Sequence, residues 1–328
     1  MEPKTNIFIT IDLECRRNSP DFTAAIYGRL RGQKHSFGLD FILSTFKRYQ
    51  LAATFFVEPF FSYKFGKAAL EDICSRILLE NHDIQLHLHP FFKSSPEHTL
   101  EDKLHAYPLE QQIDLIKEGR DILYACGVKE IKAFRAGAFA ANNTTYEALA
   151  AAGIKISSNY NLDYLSKACR ISLPGQFNDF FWHKDKILEM PVTCFREFDF
   201  KKFKPSFKHL QITAMSYEQM KYIFEHAPRL NLKNIVILFH TFEFIHFIDE
   251  KNDIGKINPI NISRFIRLCE FLYNHQSKFN VQRISDVDLN LKAPCAVAND
   301  VIPRMPWLLS VQGKLEQVRK RFPQRTEY

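Results

Sequence analysis

The sequence predicts an α/β fold built on a mostly parallel sheet, barrel-like or doubly wound. Short β-rich runs alternate with segments of helical period from residue 7 to residue 284, the pattern of repeated β–α units. Acids, histidines and an arginine stand at or near the C-terminal ends of the predicted strands, where ligands bind in such sheets. At 328 residues the chain has the length of one barrel-like domain, and no internal repeat divides it.

The first strand, residues 7–14, alternates cleanly. Ile7, Ile9, Ile11 and Leu13 share one face; Phe8, Thr10, Asp12 and Glu14 share the other, so two acids leave one face at the strand tip. Acids confined to the tip argue against an edge strand with a wet face. Residues 37–49 have helical spacing, 51–57 read as a buried strand bounded by Glu58-Pro59, and 70–79 as the next helix. A strand follows from Asp83. Asp83, Gln85, His87 and His89 lie on one face, Ile84, Leu86 and Leu88 on the other, and Pro90 ends it. Imidazoles two residues apart on a strand, roughly 6.5–7 Å at Cα, can converge on one ion with bonds of about 2.0–2.1 Å. A bare His-x-His is as readily a solvated strand face. His82 falls on the Ile84 face and reads as structural.

Residues 91–107 read as a loop-like insert containing Ser94-Ser95-Pro96, and 109–126 as a helix stopped by Gly127. A short strand at 131–135 carries Arg135 and runs into Ala136-Gly137; a helix at 144–152 closes at Gly153. Strands are expected at 154–158 and 188–192, and a helix at 216–227 with Ser216 and Gln219 as a capping box. Residues 234–240 form a nearly all-apolar strand ending in His240, followed by a helix at 262–273 and a strand at 279–284. Residues 1–290 therefore read as the catalytic domain and 291–328 as a basic tail, packed on it or extending from it.

A hydrophobic content of 46% with 25% charged residues is enough to build a full-sized core, and the 31 phenylalanines read as core or pocket lining. The seven scattered cysteines, with no Cys-x-x-Cys pair, read as reduced thiols, not as a disulfide frame or zinc knuckle. No stretch reaches transmembrane length, and polar residues 1–6 lead straight into the first strand, so a cytoplasmic protein is expected. The net charge of 44 − 37 = +7 suits anionic or phosphorylated partners. Two basic segments, 198–208 with Phe interleaved with Lys and 314–325 with Leu315, Val318 and Phe322, are solvated surfaces or peripheral membrane contacts. No nucleic-acid-binding module is recognisable, so no nucleic-acid partner is expected. The oligomeric state is not encoded legibly.

The strand tips together present Asp12, Glu14, His87, His89, Arg135 and His240. One acid and two histidines form a three-ligand set with an open position for water or substrate. Such a set accepts zinc, cobalt, nickel or iron. The remaining carboxylate and histidine can act as general base and general acid, and an arginine beside the base holds it ionised. Glu243 and His246 read as structural or surface residues, although Glu243 could also orient His240 or contact a substrate hydroxyl.

The ordered set resembles the polysaccharide deacetylases of the NodB homology type, carbohydrate esterase family four, over about residues 7–286. Thr10-Ile11-Asp12-Leu13-Glu14, Ala53-Thr54-Phe55-Phe56-Val57, His82–His89, Phe134-Arg135-Ala136-Gly137 with Asn142, Leu188-Glu189-Met190-Pro191-Val192-Thr193 and Leu238-Phe239-His240-Thr241 match in order. Two departures stand out: the acids are two residues apart instead of adjacent, and His89 follows His87 by two residues, with Phe91 where the family's second histidine usually lies. The resemblance implies a distorted (β/α)7 barrel and a divalent metal, zinc by preference with Co2+, Ni2+ or Fe2+ as alternatives, held by Glu14, His87 and His89. It implies Asp12 as base assisted by Arg135, His240 as acid, and hydrolysis of an acetamide. The expected substrate is an acetamido sugar, nucleotide- or lipid-linked, or a surface polysaccharide precursor of the O-antigen or capsule type. The rival expectations are an amidase on a small non-sugar amide and a non-catalytic carbohydrate-binding relative.

Overall fold

The computed structural model describes residues 4–290 and 301–321, apart from 18, 21, 31, 95–98 and 201–202. Strand β1 (Thr5–Leu13) pairs with three other strands, and β2 (Thr54–Val57), β3 (Asp83–Leu88), β4 (Ala133–Ala136) and β5 (Ile156–Ser157) follow it side by side, all parallel. Strand β6 (Phe181–His183) forms an antiparallel edge on β7 (Ile187–Glu189), which itself pairs in parallel with β5. A hairpin of β8 (Cys194–Asp199) and β9 (Lys204–His209) precedes β10 (Asn234–His240), which returns to the other side of β1 with Asp12 opposite His240. A second hairpin, β11 (Ile245–Asp249) and β12 (Ile254–Ile257), leads through a helix to β13 (Phe279–Gln282), which pairs with the first half of β1. The order β10-β1-β2-β3-β4-β5-β7 curls round. Its open side is bridged by Thr193 N donating to Val236 O at 3.1 Å and Leu238 N to Leu210 O at 3.0 Å. The result is the distorted (β/α)7 barrel.

Helices α1 (Leu39–Arg48), α2 (Phe61–Phe65), α3 (Lys67–Leu79), α4 (Leu109–Ala125), α5 (Asn143–Ala151), α6 (Tyr217–His226) and α7 (Pro259–Asn274) fill the connections. Both faces of β3 are buried, which removes the solvated-face reading of His87; His89, just past the strand, is half-buried. Alternation therefore separates two buried layers, not core from solvent. Ile7, Ile9, Ile11, Ile84 and Leu86 form the apolar layer. Thr10, Asp12, Gln85, His87 and Arg135 form the polar interior, where each needs a partner. Thr10 Oγ1 donates to Ile237 O at 2.6 Å, and Gln85 Oε1 accepts from Ala133 N at 2.7 Å. Phe41, Phe46, Phe239, Phe244 and Phe265 interlock as rings between α1, β10 and α7, so much of the phenylalanine content is core.

Several expected elements shift. The strand expected at 188–192 ends at Glu189, because Pro191 has no N–H to give to a ladder. That expected at 154–158 shrinks to two residues. The two hairpins break the simple alternation of strand and helix; Pro205 and the lysines of β9 hid the first of them. Of the region expected as a tail, 301–321 are described: β8 receives Met305 N on Arg196 O at 2.8 Å, and α8 (Trp307–Arg321) packs on α6 and β8. Residues 291–300 and 322–328, with Cys295, Phe322 and Arg325, lie outside the described residues, as do Ser95, Pro96, Lys201 and Lys202.

Candidate active site

All six expected residues converge at the C-terminal mouth of the barrel. Glu14, just past β1, and His87 and His89 at the end of β3 bring one ligand atom each to within 4.8 Å of one another. Glu14 Oε2 lies 3.2 Å from His87 Nε2 and 2.5 Å from His89 Nε2. Two lone-pair donors and a carboxylate turned on one point repel unless a proton or cation lies between them. Burial alone would raise the Glu14 carboxyl, but the two histidines outweigh it and hold it well below the ordinary carboxylate range. Burial opposes charge on His89, yet Glu14 and Asp102 raise it well above ordinary imidazole.

Asp102 was not anticipated. It lies in the insert read as a loop, and its Oδ1 is 3.0 Å from His89 Nδ1. A carboxylate on Nδ1 fixes the tautomer and leaves Nε2 as the lone-pair donor, the usual support of a metal-ligating imidazole. Arg17 stacks on Phe91 at 3.7 Å and reaches Asp102 at 3.6 Å, closing that side. Gly137 is the other unforeseen requirement. A Cβ placed there would sit 2.3 Å from the His89 ring, so only glycine lets the imidazole lie against this turn. His87 Nδ1 is buried with no hydrogen-bond partner, so only its Nε2 is engaged, toward Glu14. The donor set, its tautomer control and the shared focus fit a divalent transition metal held by Glu14, His87 and His89.

On one flank, Arg135 is fully buried, not a surface ion pair. It donates to Asp12 Oδ1 at 2.6 Å, to Thr10 Oγ1 at 3.1 Å and to Ser158 Oγ at 2.9 Å, and its guanidinium lies over Phe56. The chain thus ties Asp12 into the interior by a charge-assisted bond. On the other flank, His240 Nε2 lies 3.7 Å from Glu14 Oε1, and its Nδ1 is 2.8 Å from Glu243 Oε1. Glu243, given a structural or surface reading from the sequence, is buried and oriented onto His240. Burial disfavours the imidazolium, but Glu243, Glu14 and Asp12 overcome it and push His240 up to about 9. Gln211, just past β9, donates to Glu243 and links it to His209, whose Nδ1 meets Asp163 at 3.2 Å. His246 is exposed at the rim of a cavity of about 330 Å3 that also takes in Arg16, Gln211, His240, Phe242 and Glu243.

Two further groups complete the surroundings. Glu58, at the tip of β2, accepts from Phe60 N at 2.9 Å and Phe61 N at 2.8 Å, and burial pushes it up to about 8. His82 is remote from the mouth. Its Nδ1 accepts from Ala53 N at 3.2 Å, between the rings of Phe46 and Phe55.

No protein-family model matches the sequence, and no curated protein matches it. Solved structures do. A candidate polysaccharide deacetylase from Mycobacterium smegmatis aligns over 88% of this chain and 96% of its own, at 14% identity and a TM-score of 0.50. The fold is that of the polysaccharide deacetylases. A family 4 carbohydrate esterase from Streptomyces lividans, solved with acetate, aligns over 90% of this chain and 98% of its own at 12% identity and a TM-score of 0.43. A 4-alpha-glucanotransferase from Thermococcus litoralis aligns over 86% of this chain but 40% of its own, at 12% identity and a TM-score of 0.53. The deacetylase fold is thus close in shape to a barrel of different activity, and the chemistry has to be argued from the site itself. In this chain the deacetylase fold brings an acid, two histidines, an arginine-tied aspartate and a glutamate-tied histidine to one mouth.

Proposed function

We propose that the protein is a metal-dependent hydrolase that removes the N-acetyl group of an acetamido sugar. The observation that carries this reading is the convergence of Glu14, His87 and His89 between two separately held proton-transfer groups, Asp12 and His240. A bound divalent ion, zinc by preference, supplies Lewis acidity to the amide carbonyl and acidity to a water. Asp12, with Oδ1 tied to Arg135, takes the proton of the attacking water on its other oxygen. His240, with Nδ1 turned to Glu243, keeps Nε2–H for the departing amine nitrogen. The Glu243 carboxylate on Nδ1 favours the protonated imidazole that a general acid requires.

The substrate in this reading is nucleotide- or lipid-linked, or a surface polysaccharide precursor. Its support is the net charge of +7, which favours an anionic carrier. A cytoplasmic setting belongs to the same reading, supported by six described cysteines, none of them in a disulfide. The test is acetate release by the zinc- or cobalt-loaded protein from a panel of nucleotide-linked, lipid-linked and free N-acetyl sugars. Release from a carrier-linked sugar, lost in Asp12→Asn and His240→Ala, is the expected result. Metal-loaded protein that binds these sugars without cleaving any of them would overturn the reading.

A further inference from the structure

Helix α8 is turned inside out. At 3.6 residues per turn, Trp307, Leu308, Val311, Leu315 and Val318 form one apolar stripe roughly 100° wide. A surface helix ordinarily buries such a stripe. Here Trp307 is 66% exposed, Leu308 61%, Leu315 57% and Val318 53%, while Leu309 and the polar and small residues face the domain. Ser310 is fully buried, Gly313 lies against the Gln219 side chain, Glu316 pairs with Arg264 at 2.8 Å, and Gln317 Nε2 donates to Thr213 O at 2.8 Å. The helix is therefore anchored by its hydrogen-bonding face and holds its hydrophobic face outward.

The neighbouring element repeats the pattern. Strand β8 is tied to the segment leading into α8 through Arg196 N to Pro303 O and Met305 N to Arg196 O, each 2.8 Å. The β8–β9 hairpin carries exposed Phe203, 83% accessible, and Phe200, with exposed Lys204 beside them. The hairpin sequence holds five cations and two acids, and α8 holds Lys314, Arg319, Lys320 and Arg321 against the single acid Glu316, itself committed to Arg264. Exposed aromatic and aliphatic side chains interleaved with cations match a surface that is apolar beneath and anionic on top. A second copy fits less well, because self-pairing brings together two faces whose sequences carry the same net positive charge.

We infer that α8 and the β8–β9 hairpin form a docking face for an anionic lipid bilayer. Trp307, Leu315, Val318 and Phe203 enter the interfacial layer, Lys204 meets the headgroups, and the basic sequence of both elements favours an anionic surface. The root of the same hairpin, His209 to Gln211, touches the His240–Glu243 pair.

The test is co-sedimentation of the full chain with vesicles of phosphatidylglycerol and phosphatidylcholine, beside pure phosphatidylcholine vesicles, at low and high salt. Expected are binding to the anionic vesicles, its weakening by salt, a blue shift of Trp307 emission in a Trp182→Phe background, and a loss of about tenfold or more in Leu315→Ser/Val318→Ser. These side chains are exposed, so the variant keeps its fold, which circular dichroism verifies. No binding of the wild type to anionic vesicles at low salt would overturn the inference. So would a stable dimer that the double variant dissociates, or retention only by an acidic protein surface such as heparin-free polyglutamate. The assay involves no sugar or metal, so its failure would leave the hydrolase reading standing.

Discussion

His89 Nδ1 lies 3.0 Å from Asp102 Oδ1, 13 positions further along the chain, while its Nε2 lies 2.5 Å from Glu14. Asp102 thus decides which nitrogen faces the ligand cluster. Asp102→Asn is expected to weaken metal affinity by about ten- to a hundredfold with little change in stability. Competition with a chromogenic chelator measures it, and unchanged affinity would remove Asp102 from the site.

Gly137 sets the space for that same ring. Gly137→Ala puts a methyl group 2.3 Å from the His89 imidazole and displaces it. Metal affinity should fall as far as it does in His89→Ala, although residue 137 offers no ligand. Metal-dependent changes in the imidazole signals of an NMR spectrum would report the displacement directly.

Arg135 and Asp12 form a buried charge pair. Arg135→Met leaves the Asp12 carboxylate buried without its partner, at an expected cost of about 3–5 kcal/mol. Adding Asp12→Asn should recover a large part of that loss, because no uncompensated charge then remains. Urea unfolding of the two variants checks this, and equal losses would show that the pair is not the source.

His82 supplies a pH dependence that is separate from the site. Burial lowers its pKa from 6.5 to about 4 in the folded protein. Between those values the unfolded chain binds more protons, so stability falls as pH drops through the window, by about 3 kcal/mol when complete. His82→Gln keeps an acceptor for Ala53 N without the titration. The stability gap between wild type and variant should therefore narrow between pH 7 and pH 4.5 in urea titrations.

His240 is raised to about 9, opposed by burial and driven chiefly by Glu243. An acid catalyst loses activity as pH rises through its pKa. Glu243→Gln should therefore move the alkaline limb of the kcat profile to lower pH.

The parts of this site legible in the sequence are those carried by strand alternation. Asp12 and Glu14 on β1 and His87 and His89 on β3 each declare a common face two residues apart, and Arg135 and His240 close short apolar runs. Asp102, Glu58 and Gly137 carry no such signal. Asp102 acts from an irregular insert, Glu58 caps the backbone of a five-residue helix, and Gly137 matters through a side chain that is absent. Glu243 was visible three residues after His240, but the 3-10 turn that swings it back was not. The exposed face of α8 escaped for a different reason: its periodicity gives an amphipathic helix, but not which face the domain takes.

The most direct test of the central claim is elemental analysis of the purified protein beside Glu14→Ala and His87→Ala. The account predicts a near-stoichiometric divalent transition metal in the wild type and its loss in both variants. A wild type that holds no metal, even after reconstitution with zinc, cobalt, nickel or iron, would contradict it.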